Sequence, residues 1–240
     1  MNHLLHLAPV ALLASLVCLE PQESKPAPNA AVVAVPRTDE GILERQAEVL
    51  RRAKSTAKAA VVFVGDSITQ GWEDGGQEPW QKQFASLGAL NLGVSGDRTE
   101  HVLWRLQQAP LTHLEPKVVV LLIGTNNLGH GTSTAEQTLA GVQAVVALLR
   151  EQAPKAVLLV HEIFPRGERF NEMRGGIAQI NQVLRNQSDP RTRVLGFSDR
   201  WVRADGTLPK EIMPDFLHLS PAGYAQWAAA LAPEIAAVLK

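Results

Sequence analysis

The sequence predicts an α/β fold in which a mostly parallel sheet is covered by helices on both faces. Three observations carry this. Short apolar runs alternate along the chain with longer amphipathic stretches. The run from Val118 to Ile123 is apolar at every position, the pattern of a strand buried on both faces. Three of the runs stop at a glycine: Gly65, Gly93 and Gly124. The bulk properties agree with a globular chain: 240 residues, 45% hydrophobic and 20% charged. With Cys18 as the single cysteine, an intramolecular disulfide and a Cys-rich metal site are excluded. The formal net charge of -1 gives no electrostatic case for nucleic acid or an anionic membrane as partner.

From the N-terminus, Leu7 to Leu19 is apolar apart from Ser15 and is interrupted by Pro9. That is shorter than the roughly 20 apolar residues a spanning helix needs, so an integral membrane protein is not expected. It has the length of a signal-peptide core, although no Lys or Arg precedes Lys25. The expectation is a signal peptide over 1–19 and export to the periplasm or beyond. Lipid attachment at Cys18 is an alternative, and a cytoplasmic chain follows if the run is no signal. Pro21, Pro26, Pro28 and Pro36 make 20–36 read as a linker. One domain then occupies 37–240. Thr38 to Lys54 reads as a helix with Ile42, Leu43, Val49 and Leu50 on one side. Strands are expected over Ala59–Val64, Ala89–Leu92, Lys117–Ile123, Ala156–Val160 and Arg193–Phe197. Helices are expected over Thr134–Arg150, with Leu139, Val142, Val146 and Leu149 on one face, and over Asn171–Leu184 and Pro221–Leu239. Ser220 is positioned to cap the last of these, with Pro221 at its first turn.

Active sites of parallel sheets form beyond the carboxyl ends of the strands, which directs attention to three loops. After Val64, Ser67 can enter the first turn of a helix with its hydroxyl exposed and its N–H free to donate. It can equally be a plain helix cap. After Leu92, Gly93 and Gly96 mark backbone that turns sharply or approaches a ligand, and the Gly96 N–H is a candidate oxyanion donor. After Ile123, Asn126 offers an uncharged side-chain donor for the same purpose; an Asn that holds a turn is the plainer reading. A serine also needs a base to activate it. His101 falls in a helical stretch, His113 precedes Pro116, and His161 ends a strand. His130, near the third loop, is a competitor. His218 follows Asp215 by three residues in the loop before the last helix, so the carboxylate can orient the ring toward Ser67. Each signal alone is weak; all four together, in this order and at the expected strand ends, point to a serine esterase.

With these residues in place the chain resembles the SGNH (GDSL-type) hydrolase superfamily. Gly65-Asp66-Ser67 matches its nucleophile block, Gly96 its glycine block, Asn126 within Gly124-Thr125-Asn126-Asn127 its asparagine block, and Asp215-Phe216-Leu217-His218 its closing block. The stretch His101-Val102-Leu103-Trp104-Arg105-Leu106 is similar to the catalytic subunits of the intracellular platelet-activating-factor acetylhydrolases. Ile68 departs from the usual Leu after the serine. The resemblance implies a three-layer α/β/α, flavodoxin-like sandwich and hydrolysis of short acyl esters without metal or organic cofactor. It implies Ser67 as nucleophile, His218 as base and Asp215 as its partner. The Ser67 N–H, Gly96 N–H and Asn126 side chain then form the oxyanion hole, with Ile68, Thr125 and Leu217 beside a small acyl pocket. A homodimer is compatible with it.

The expected substrate is a small acetyl ester. If the chain is exported, acetylated carbohydrate is favoured over a phospholipid, with Trp72, Trp80 and Trp104 as candidates to stack on sugars. Each of them can instead be packing. Arg98, Arg166 and Arg169 are candidates to meet a charged substrate, or solvated surface charges. A silent binding module on the same fold is the alternative of another class.

Overall fold

The computed structural model describes residues 28–240. The expected signal peptide, Cys18 and the first part of the expected linker lie outside the described residues. The elements run α1 (Glu40–Ser55), β1 (Val61–Gly65), α2 (Ser67–Gln70), α3 (Gln77–Gln83), β2 (Leu90–Gly93), α4 (Thr99–Gln108), β3 (Val118–Leu122), α5 (Thr125–Gly129), α6 (Ala135–Gln152), β4 (Val157–His161), α7 (Glu172–Arg185), β5 (Thr192–Leu195) and α8 (Pro221–Leu239). The strands form one five-stranded sheet in the order β2-β1-β3-β4-β5. Every pairing is parallel. All five expected strands are present, each shifted at its ends by a residue or two.

Alternation along the strands divides the core into two. Val62, Val64, Val119, Leu121, Leu158 and Val160 face one side, where α1, α4, α6 and α7 contribute Val49, Val102, Leu106, Val145, Leu149 and Ile180. Val61, Phe63, Val118, Val120 and Leu159 face the other, against Ile68, Trp72, Phe84, Tyr224, Trp227, Leu231 and Ile235. The result is a three-layer α/β/α sandwich, as the resemblance implies. Helix starts follow local chemistry. Thr134 and Gln137 form a capping box on α6, and the Ser220 hydroxyl accepts from Gly223 N–H at the start of α8. The stripe on α1 differs from expectation: Val49 is buried, but Leu43 is exposed and Gln46 and Ala53 take inward positions.

The expected linker is corrected at its C-terminal end. Ala31 is fully buried, Thr99 Oγ1 donates to Ala31 O at 2.8 Å, and Val35 N donates to Glu100 O at 3.2 Å. The packed domain therefore starts by Asn29 rather than at Arg37. Prolines signalled extended backbone correctly, but extended backbone can also dock. Among the described residues no helix is long and apolar enough to cross a membrane.

Candidate active site

β1 ends at Gly65, where close packing leaves no room for a side chain: a Cβ would strike Thr69 Oγ1 and Leu122 O. The chain turns there, and Asp66 caps the next turn by accepting from Ile68 N–H at 2.9 Å. Ser67 is thus the first residue of α2, at the carboxyl edge of the sheet. Its Oγ lies 2.9 Å from His218 Nε2. His218 Nδ1 lies 2.7 Å from Asp215 Oδ2. The other Asp215 oxygen accepts from the backbone N–H groups of Leu217 and His218, at 3.0 and 2.7 Å. This turn carries Phe216 at φ 59°, a conformation that side chains other than Gly rarely adopt. Burial acts to raise the Asp215 carboxyl. The hydrogen bonds from the His218 ring and from the two backbone N–H groups outweigh it and hold the carboxyl below its ordinary value.

Across the site, Gly96 has φ +74°, a conformation that disfavours any other residue, and lies against the Arg37 guanidinium. Neither Ser67 N–H nor Gly96 N–H donates to any group among the described residues. The Asn126 side chain donates one N–H to Asp97 O at 3.0 Å. That bond fixes the amide plane and leaves its second N–H for another acceptor. The site can therefore place a serine hydroxyl beside an oriented imidazole, with donors nearby for a developing oxyanion.

The profile of the GDSL-like lipase/acylhydrolase family matches residues 63–226. The human platelet-activating factor acetylhydrolase IB subunit alpha1 is 43% identical over 166 residues, 68% of this chain and 70% of the relative. The chain belongs to the GDSL-like lipase/acylhydrolase family. The chicken alpha2 subunit is 40% identical over 168 residues, 69% of this chain and 71% of the relative. A GDSL-like lipase of Bacteroides thetaiotaomicron superposes with a TM-score of 0.61 at 19% identity, covering 81% of this chain and 95% of that one. The lipase/acylhydrolase of Enterococcus faecalis does so with a TM-score of 0.59 at 22% identity, covering 74% and 95%. At such identities these two structures speak for the fold alone. As a member of this family the protein is a carboxylic ester hydrolase.

In this acylhydrolase Ile68 and Thr125 are buried and Leu217 is half-buried. His130 is exposed, and its ring meets Arg98 Nη1 at 3.4 Å rather than Ser67. His101 accepts from Arg98 N–H, and burial with the nearby Arg98 charge pushes it down to about 4. His161 sits in the core under Trp227 Nε1, and burial pushes it down to about 3. Of the two readings of the tryptophans, sugar platform or packing, the structure has packing at Trp72 and Trp80. Trp72 is removed from solvent, and Trp80 packs on Phe63 with ring centroids 4.9 Å apart. Trp72 fills the core beneath α8, and Trp80 on α3 packs half-buried against it. Trp104 is half-buried on α4. Among the described residues no cluster of His, Cys, Asp or Glu is placed to hold a metal.

Several supports were missed in the sequence. The buried Asn91 side chain donates to Thr69 O and accepts from Gly93 N–H, tying α2 to β2. Gln70 accepts from Ser95 N–H at 2.8 Å. Arg105 donates to Asp97 Oδ2 at 2.8 Å and to the carbonyls of Leu92 and Gly65. Asn127 joins α5 to Thr99 and Glu100. Tyr224 on α8 donates to Ile68 O at 2.8 Å, behind the serine. A polar residue inside an apolar run was the available signal for Asn91, and an Arg on an inward helix face the signal for Arg105.

Proposed function

We propose that this acylhydrolase cleaves acetyl and other short acyl esters through an acyl-enzyme on Ser67. The carrying observation is the continuous Ser67–His218–Asp215 contact, 2.9 and 2.7 Å. Ser67 Oγ attacks the ester carbonyl carbon while its proton passes to His218 Nε2. The carbonyl oxygen becomes an oxyanion, stabilised by the Ser67 and Gly96 N–H groups and by the Asn126 amide. Collapse breaks the bond to the alcohol oxygen, which takes the proton from His218. Water then attacks the acyl carbon, returns a proton to His218, and releases the acid with Ser67 restored. Asp215 holds Nδ1–H throughout and stabilises the imidazolium.

Two considerations support this choice of substrate. Ile68 and Thr125, next in sequence to Ser67 and Asn126, are both buried, which favours a small acyl group. The relatives named acetylhydrolases favour acetyl. The carbohydrate reading rests on export, which lies with residues outside the described ones, and its candidate sugar platforms are weakened, since Trp72 is in the core and Trp80 packs half-buried against it. The acetylhydrolase type is therefore preferred for the alcohol side. The test is hydrolysis of p-nitrophenyl acetate through p-nitrophenyl octanoate by the wild type and by Ser67→Ala. Expected are a steep fall of kcat/KM with chain length and a loss of at least about 10³-fold in the variant. A folded variant with comparable turnover sinks the nucleophile assignment; preference for octanoyl sinks the small-pocket reading.

A further inference from the structure

The arginines that line the inner surfaces of this molecule are almost all neutralised. Arg105 pairs with Asp97, Arg37 with Asp39 and Asp97, Arg98 with Glu100, and Arg45 and Arg52 with Glu48 and Glu73. Two half-buried arginines among the described residues form no ion pair: Arg174 and Arg166. Arg174 has a structural explanation. Its three nitrogens donate to the carbonyls of Arg166, Gly206, Gly167 and Glu168, which pins the loop after β4. Arg166 has no such set. Only Nη1 is used, in bonds of 3.0 and 3.3 Å to Thr125 O and Oγ1. Nε and Nη2 donate to nothing among the described residues.

Arg166 also adjoins the catalytic loops: it bonds Thr125, and its neighbour Gly167 donates to Phe216 O, in the turn between Asp215 and His218. Thr125 precedes Asn126, and the charges that act on the guanidinium are those of Asp66, next to Ser67, and Asp215, bonded to His218. Neither carboxylate is close enough to pair with it. The group is held in place rather than free to swing out. It lies against Gly129, where any Cβ would strike Nη1. Its backbone is held by Arg174 and by Asn171, which donates to Arg166 O at 3.2 Å, and Gly167 N–H donates to Phe216 O at 2.8 Å. A half-buried guanidinium held by Thr125, with open donors, is matched to an oxyanion.

We propose that Arg166 determines specificity by binding an oxyanion, a phosphate or a carboxylate, on the alcohol part of the ester substrate. This rests on the acetyl-ester reading above: an acetyl group carries no charge, so the anion belongs to the alcohol.

The test compares phenyl acetate, 4-acetoxybenzoate and 4-acetoxyphenyl phosphate as substrates for the wild type, Arg166→Gln and Arg166→Lys. Expected is a wild-type kcat/KM for at least one anionic ester about tenfold or more above that for phenyl acetate. Arg166→Gln erases this ratio, mainly through KM, and Arg166→Lys restores part of it. Preference for the phosphate or for the carboxylate ester identifies the source of the anion. A wild type without preference, or equal losses on all three esters in Arg166→Gln, overturns the proposal and leaves Arg166 as a support for Thr125. A second measurement is independent of turnover. Phenyl phosphate and benzoate are titrated into Ser67→Ala and into Ser67→Ala with Arg166→Gln. Weaker binding to the double variant supports the proposal, and equal or absent binding to both overturns it. Failure of Ser67 as nucleophile shows instead as turnover of phenyl acetate by Ser67→Ala, so the two failures are distinguishable.

Discussion

Asp66 holds two demands in one side chain. Its Oδ1 caps the turn that presents Ser67, while Oδ2 is buried with no hydrogen-bond partner. Burial, reinforced by the nearby Asp97 charge, pushes the carboxyl up to about 7, against the Ile68 N–H and Arg166, which lower it. The sign follows from linkage. The folded state holds this proton more tightly than the unfolded chain, whose reference value is 3.8. The penalty is absent below that value, grows as pH rises, and is complete above about 7. Asp66→Asn keeps an acceptor for the cap and removes the titration. The stability of this variant relative to wild type should therefore climb between pH 5 and 7, by on the order of 1 kcal/mol per unit, and level off above. Urea denaturation across that range measures it. A difference that does not vary with pH would show that Asp66 is not a strained acid in the fold.

At the scale of elements, α4 holds the glycine loop that faces Ser67. Arg105 reaches from its inward face to Asp97, and both side chains are buried. Burial raises the Asp97 carboxyl while Arg105 and Arg37 oppose it. The same residue's carbonyl receives the Asn126 amide. Arg105→Met therefore leaves a buried carboxylate with only Arg37, 3.5 Å away, as partner. The expected loss is about 3–5 kcal/mol of stability, read by urea denaturation, with a fall in kcat for p-nitrophenyl acetate as the glycine loop loosens. Adding Asp97→Asn should recover part of the stability; no recovery would place the effect in lost packing instead. This pair also marks where sequence reading stops. The strands were legible because apolar runs ending at Gly65, Gly93 and Gly124 need only local pattern. Ser67, Asp215 and His218 were legible as a candidate set because strand ends and spacing confine them, and the structure brings those three into contact. Arg105, Asn91 and Tyr224 were not, because their partners are set by tertiary contact: Tyr224 meets Ile68, 156 positions away. The same holds for Trp72 and Trp80, whose residue type suits a sugar platform and a core equally.

At the scale of the whole molecule, the segment before α1 acts as part of the sandwich. Ala31 seats between α4 and α6, where a Cβ on Gly141 would meet Ala31 O at 2.8 Å. Asn29 Nδ2 donates to Gln137 O at 3.1 Å. The seat connects to the reacting centre, since Thr99 Oγ1 donates to Ala31 O and accepts from Asn127 Nδ2, next to Asn126. A chain of residues 29–240 and one of residues 37–240 should then differ in two ways. The shorter loses three hydrogen bonds and a buried side chain, so it should be less stable by about 2–4 kcal/mol. It should also lose kcat on p-nitrophenyl acetate at temperatures where both remain folded, because Thr99 no longer has a fixed acceptor and the Asn126 loop relaxes. Gly141→Ala in the longer chain crowds the same seat without deleting anything, so it should reproduce the direction of both changes. Equal stability and equal kcat in the two chains would mean that 29–36 is a linker after all. A loss of stability with kcat unchanged would confine the segment to closing the core and break its connection to the oxyanion side.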